Sequence, residues 1–211
     1  MPNPSRDLYR LPSRIAMVCT FCIVCLLIPM SLIRLVAQTP TASREGVPKG
    51  WFMAGTKPAE YESIVDTRTA YNGHPSASLK AKGPTTEGFG TLMQDFRADR
   101  YLGKRVRLSA FVKSEGVQKW AGLWMRVDKD QQILAFDNMQ SRPIKGTTNW
   151  QQYDVVLDVP QSATGIFLGI LLEGQGTVWL SAAKLNVVGT DVSTTSGTRL
   201  ADGPVNLSFE E

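Results

Sequence analysis

The chain has 211 residues, 20% of them charged and 43% apolar, with a formal net charge of +4. That is ordinary globular composition, long enough for one compact domain plus tails that needs no metal or disulfide staple. Part of the charge sits in Arg6, Arg10 and Arg14; the remainder is close to neutral, which argues against a nucleic-acid partner.

In chain order, residues 1–14 form a basic tail expected in the cytoplasm. Ile15 to Ile33 are 19 residues without a charge, enough for about 28 Å of helix at ~1.5 Å per residue. Residues 15–36 are therefore expected to be a transmembrane signal anchor, or a signal peptide cut near Ala37. Leu35 stands where such a site needs a small residue, which favours the anchor. Cys19, Cys22 and Cys25 all lie in this run with no His or carboxylate nearby, so they read as apolar filler and no metal is expected. Val18 and Val24 before two of them speak against a lipid anchor. Residues 37–48, with two prolines and small polar side chains, read as a linker.

The domain is expected over residues 49–189. Asn72-Gly73 marks a turn. Strands are expected over 76–82, 89–96, 106–113, 123–128, 153–159, 166–172 and 178–188, with apolar and polar residues alternating and Gly174-Gln175-Gly176 as a tight connection. No stretch of ten or more residues keeps helical spacing beyond the apolar run. The fold class is therefore all-β, a sandwich or barrel.

The order of motifs carries a resemblance. Gly50-Trp51, Asn72-Gly73, the run Gly103 to Lys113 (GKRVRLSAFVK), Thr148 to Tyr153 (TNWQQY) and Gly176 to Leu180 (GTVWL) stand in one sequence. Together they resemble the carbohydrate-binding-module branch of the galactose-binding-like jelly rolls, over roughly residues 50–188. The resemblance implies a jelly-roll β-sandwich, a fold that hosts binders of sugars, lipids, nucleic acids and proteins. The family's last strand commonly carries acidic residues that help hold a structural calcium. Ser181-Ala182-Ala183 stand there in this chain, so no calcium is expected. Residues 190–203 read as a flexible tail. Residues 204–211 (PVNLSFEE) resemble the opening strand of such modules and are expected to dock as an edge strand beside the first or last strand; a disordered tail is the alternative.

Catalytic chemistry is thinly supplied. His74 is the sole histidine and falls in the expected turn, and no nucleophile elbow, metal-binding helix or phosphate loop is present. Asp128 with Asp130, and Glu60 with Glu62, read as solvated loop carboxylates rather than a hydrolytic pair. No enzyme and no cofactor are expected. The richest binding segment is Trp120 to Arg142, with Trp120 in a loop and Trp124 and Arg126 on one strand face. Asp137, Asn138, Gln140 and Arg142 follow. These seven are the candidate ligand-binding residues. The alternative is that Trp124 caps the core and Arg126 pairs with Asp137 or Asp128. Trp51, Trp150 and Trp179 read as packing.

The expected function is a membrane-anchored, extracytoplasmic, non-catalytic binding module for a carbohydrate or other small polar ligand. The alternative is a structural or protein-interaction domain of the envelope, or a sensory accessory protein. The expected location is the cytoplasmic membrane, single-pass, with the domain on the periplasmic or extracellular side.

Overall fold

The computed structural model describes residues 46–84 and 87–196, which belong to one compact unit. The anchor or signal peptide expected over 15–36 and the strand expected over 204–211 lie outside the described residues. No described helix is long and apolar enough to cross a membrane.

Nine strands form among the described residues. They are β1 (Phe52–Gly55), β2 (Tyr61–Tyr71), β3 (His74–Ala81), β4 (Phe89–Arg97), β5 (Lys104–Lys129), β6 (Gln132–Asp137), β7 (Ile144–Val159), β8 (Gly165–Glu173) and β9 (Thr177–Val188). The domain is all-β, as the alternation implies. The expected turn at Asn72-Gly73 is a two-residue hairpin: Tyr71 pairs with His74 and both central residues have positive φ, 48° and 78°. β1, β2 and β6 went unforeseen. Trp120, expected in a loop, lies inside β5.

β5 organises the molecule. Over residues 104–115 it pairs with β7 and β9, the β7 ladder running on to Ala121; over 120–128 it pairs with β8 and over 125–129 with β6. Between these halves its register with β7 slips repeatedly, around Ser114 and Val117, which lets one strand serve two layers. The first sheet runs β7-β5-β9-β3-β2 and the second β6-β5-β8-β4-β1, with every neighbouring pair antiparallel. β3 also packs across the gap against β4 and β8.

Side-chain parity then builds the core. Val106, Leu108, Ala110 and Val112 from the first half of β5 turn inward with Val155, Leu157 and Val159 of β7 and Val178 and Leu180 of β9. Leu123, Met125 and Val127 from its second half meet Leu92 of β4 and Ile166, Leu168, Ile170 and Leu172 of β8 in the same cluster. Val47, placed in the linker by sequence, packs against it too.

Residues 190–196, expected as the start of a flexible tail, are tied down. Arg105 Nη1 donates to the carbonyls of Thr190 (2.9 Å) and Val192 (2.7 Å), and Thr195 N–H donates to Val156 O (2.9 Å). The reason is a buried-edge guanidinium that needs acceptors, supplied by the turn after β9.

Candidate functional site

On the second sheet the residues facing away from the core are also apolar. β8 contributes Phe167 and Leu171, β5 Trp120 and Trp124, β4 Phe89 and Met93, and β1 Phe52 and Ala54. Met93, Trp124 and Leu171 are 8%, 7% and 6% exposed, so this outer face is a second apolar cluster rather than a solvated surface. Gly169 keeps its floor thin: a Cβ there would lie 2.3 Å from Leu92 O.

These residues line a cleft of about 590 Å³, joined by Thr91, Arg126, Phe136, Asn138 and Glu173, a size that suits one small organic ligand. Along β8 it runs from Glu173 to Phe167, roughly 20 Å at ~3.3 Å per residue.

Its polar atoms are mostly spoken for. Trp124 Nε1 donates to Thr91 Oγ1 (2.8 Å), and that hydroxyl donates to Ile170 O (2.8 Å), which fixes the indole plane. Trp120 Nε1 donates to Glu173 Oε2 (2.9 Å), and Lys119 Nζ lies 3.3 Å from the other oxygen. Arg126 pairs with Asp128 (2.8 Å) and lies over the Phe167 ring, 4.7 Å from its centroid. What the cleft offers a ligand is therefore ring faces, with charge held at its two ends.

Four of the seven candidate residues, Trp120, Trp124, Arg126 and Asn138, come together in this cleft. Asp137 and Arg142 do not line it. Their carboxylate and guanidinium form a two-bond pair (3.1 and 2.6 Å), with Asp137 5% exposed. Gln140 lies on a shallow adjoining depression with Phe136, Asp137, Asn138 and Ser141. Asp128, expected in a solvated loop with Asp130, is instead 4% exposed at the end of β5, because Arg126 neutralises it from the same face. Asp130 does occupy the β5–β6 turn, with φ 54°.

Phe52, Phe89, Thr91, Met93, Phe167, Leu171 and Glu173 belong to the cleft without having been candidates. One signal was available for β8: Ile166 to Leu172 is an unbroken apolar run, the pattern of a strand covered on both faces.

The outer face of the first sheet differs. Tyr71 and Phe111 stack with centroids 3.9 Å apart, Trp150 tilts against Tyr71 at 5.6 Å, and Lys113 lies 5.9 Å from the centre of the Trp179 ring. Trp179 Nε1 donates to Asp66 Oδ2 (3.1 Å). The backbone N–H of Thr69 above all, then those of Arg68 and the Trp179 indole, bring the Asp66 carboxyl down to about 2. Trp150 and Trp179 are thus packing residues of this face, and Trp51 packs against the core.

No family model matches the chain. Over 183 residues the chain is 44% identical to an uncharacterised HTH-type transcriptional regulator, YbfP, of Bacillus subtilis; the match covers 84% of this chain and 62% of the relative. The chain thus spans about three-fifths of that relative's length. Among solved structures it is similar to a Clostridium thermocellum xylanase 10B fragment carrying a CBM22-1 module with bound xylohexaose. The TM-score is 0.50 at 14% identity, over 69% of this chain and 28% of that one. It is also similar to the CBM22-1 xylan-binding domain of Paenibacillus barcinonensis Xyn10C, with TM-score 0.49 at 18% identity over 69% of this chain and 90% of that one. The fold is the jelly-roll sandwich of carbohydrate-binding modules, as the resemblance implied.

The relative corrects the expected function. That relative is named a transcriptional regulator, which stands against a binding module for a carbohydrate or small polar ligand and against an envelope or sensory accessory domain. Of the polar groups of residues 137–142 that suggested sugar recognition, Asp137 and Arg142 pair with each other, and the cleft beside them is mainly aromatic and aliphatic.

Proposed function

We propose that the sandwich is the effector-binding part of a transcriptional regulator, taking a flat, mainly apolar small molecule in the cleft of the second sheet. One observation carries the ligand class. Outward residues of an exposed antiparallel sheet are ordinarily polar, and here Trp120, Trp124, Phe167, Leu171 and Met93 occupy them. The regulatory half rests on the relative's name. No helix-turn-helix lies among the described residues, which are strands, turns and two short 3-10 segments. The role assigned to them is therefore recognition of a signal rather than contact with DNA, and binding rather than catalysis.

Titration with 8-anilinonaphthalene-1-sulfonate (ANS), a planar apolar probe with one anionic group, tests the ligand class. Saturable fluorescence that disappears in Trp124→Ala supports it. Binding of xylohexaose with none of ANS would replace the apolar ligand by a sugar. For the regulatory half, Trp124→Ala introduced into the protein in its own cell should change transcript levels at constant protein abundance. An unaltered transcript profile contradicts it. A membrane location is proposed separately, on the uncharged run Ile15 to Ile33 alone; release of the protein by alkaline carbonate would refute it.

A further inference from the structure

Asp137 ends β6 beside the cleft, buried, and gathers four donors. Met139 N–H (2.8 Å), Arg142 Nη1 (3.1 Å) and Arg142 Nη2 (2.6 Å) come from its own turn. The fourth, Thr195 Oγ1 at 2.5 Å, comes from 58 residues further on. A carboxyl group taken out of water needs its oxygens matched by donors, and this set supplies them.

The bonds around Thr195 direct its hydroxyl. Val156 N–H donates to Thr195 Oγ1 (2.8 Å), and Thr195 N–H donates to Val156 O (2.9 Å). With one lone pair filled by Val156, the single hydroxyl proton turns to the carboxylate, a charge-assisted bond that is short for that reason. Further back, Arg105 grips Thr190 O and Val192 O while its Nε and Nη2 hold Asp158 (2.7 and 2.9 Å). Residues 190–195 are thus a strap fixed at both ends.

The turn it reaches carries part of the cleft wall. Phe136 and Asn138 flank Asp137 and both line the cleft, and Met139 is 1% exposed with φ 62°. That left-handed, buried residue is held by its N–H bond to Asp137, and the carbonyl of Asn138 would be 2.5 Å from a Cβ on Gly122 in β5. A small rotation of the Asp137 carboxylate therefore moves the wall against β5.

We propose that Thr195 is a positioning residue of the cleft: through Asp137 it sets the turn 137–142 and so the placement of Phe136 and Asn138. This rests on reading the cleft as the ligand site. Coupling is reciprocal, so a ligand that touches Phe136 and Asn138 tightens the strap in turn.

The test uses the full chain and has two readouts. In the unliganded protein, Thr195→Val should speed hydrogen exchange at Met139 N–H by about tenfold or more, with the core amides of β8 unchanged. In the ANS titration the same variant should raise Kd by about fivefold or more. Thr195→Ser, which keeps the hydroxyl, restores both. Ser114→Ala removes a buried hydroxyl bonded to Gly146 O and Thr148, lowers thermal stability, and leaves both readouts at wild-type values. Met139 exchange unaltered in Thr195→Val, or an equal rise of Kd in Ser114→Ala, overturns the proposal. Wild-type protein that binds no ANS, yet shows the Met139 change, sinks the ligand-site reading and upholds the tie between Thr195 and the turn.

Discussion

The two sheets share a strand and a core but present different outer faces. Along the first half of β5 the outward residues are Arg105, Arg107, Ser109, Phe111 and Lys113, and along the second half they are Trp120, Gly122, Trp124 and Arg126. The first series is half-buried and mixes ion pairs with ring contacts, Arg105 with Asp158 and Phe111 with Tyr71. The second is shut away among aromatics of β1, β4 and β8. The same backbone rule, successive side chains on opposite faces, thus makes a mixed polar and aromatic surface in one layer and a cleft in the other.

The inner faces should show no such difference, and substitutions there have the largest effect. Ile170→Ala and Leu157→Ala, both at 0% exposure, should each cost about 2–5 kcal/mol in urea unfolding. A loss confined to the first sheet would mean that the second is held by its cleft face instead.

Next comes Gly169→Ala. The added carbon meets backbone, Leu92 O at 2.3 Å and Met93 Cα at 2.9 Å, so β8 and β4 must part. The expected loss is about 1–3 kcal/mol. A neutral result would show that the cleft floor is loose.

Third, Phe167→Ser should reduce stability by about 1 kcal/mol or less and abolish ANS binding. Lys113→Ser on the first sheet should change neither. A collapse of stability in Phe167→Ser would make the aromatic face a structural element and dissolve the contrast.

The smallest effect concerns pH. Asp66 and Asp158 both titrate lower in the folded chain than free carboxyls do. Asp66 comes down to about 2 through the Thr69 and Arg68 amides and the Trp179 indole, and Asp158 is lowered by its bond to Arg105. A lowered folded value means that their stabilisation is complete above about pH 4, the unfolded value, and is lost as pH falls through the folded one. For Asp66 that window is about pH 4 to 2. Acid unfolding of Asp66→Asn should have a shallower slope there; an identical slope refutes it.

The first sheet was legible because its alternation is strict: Val106 to Lys113 and Tyr153 to Val159 announce which side is buried. β2 was hidden because the carboxylate of Asp66 bonds the amides of Arg68 and Thr69 and breaks the strand pattern. β6 was hidden because Ile133, Leu134, Ala135 and Phe136 do not alternate. Trp124 and Arg126 share parity on one strand and so could be grouped from spacing alone, whereas Trp120, expected in a loop, joins them because β5 runs unbroken through it. Phe52, Met93 and Phe167 reach the cleft only through strand order and register, as when Phe52 pairs with Met93 and Phe167 with Arg126. The direction of Asp137 and Arg142 was equally out of reach. Alternation along β6 sets Asp137 opposite the core residue Met125, on the other side from Phe136 and Asn138, and its partner Thr195 lies beyond the last strand.

The most direct test of the cleft as the ligand site is a two-dimensional amide NMR titration of the full chain with ANS. Saturable shifts confined to β1, β4, the second half of β5, β8 and the turn 137–142, absent in Trp124→Ala, are the predicted result. Shifts centred on Tyr71, Phe111 and Trp150 of the first sheet, or shifts that persist in Trp124→Ala, would contradict it.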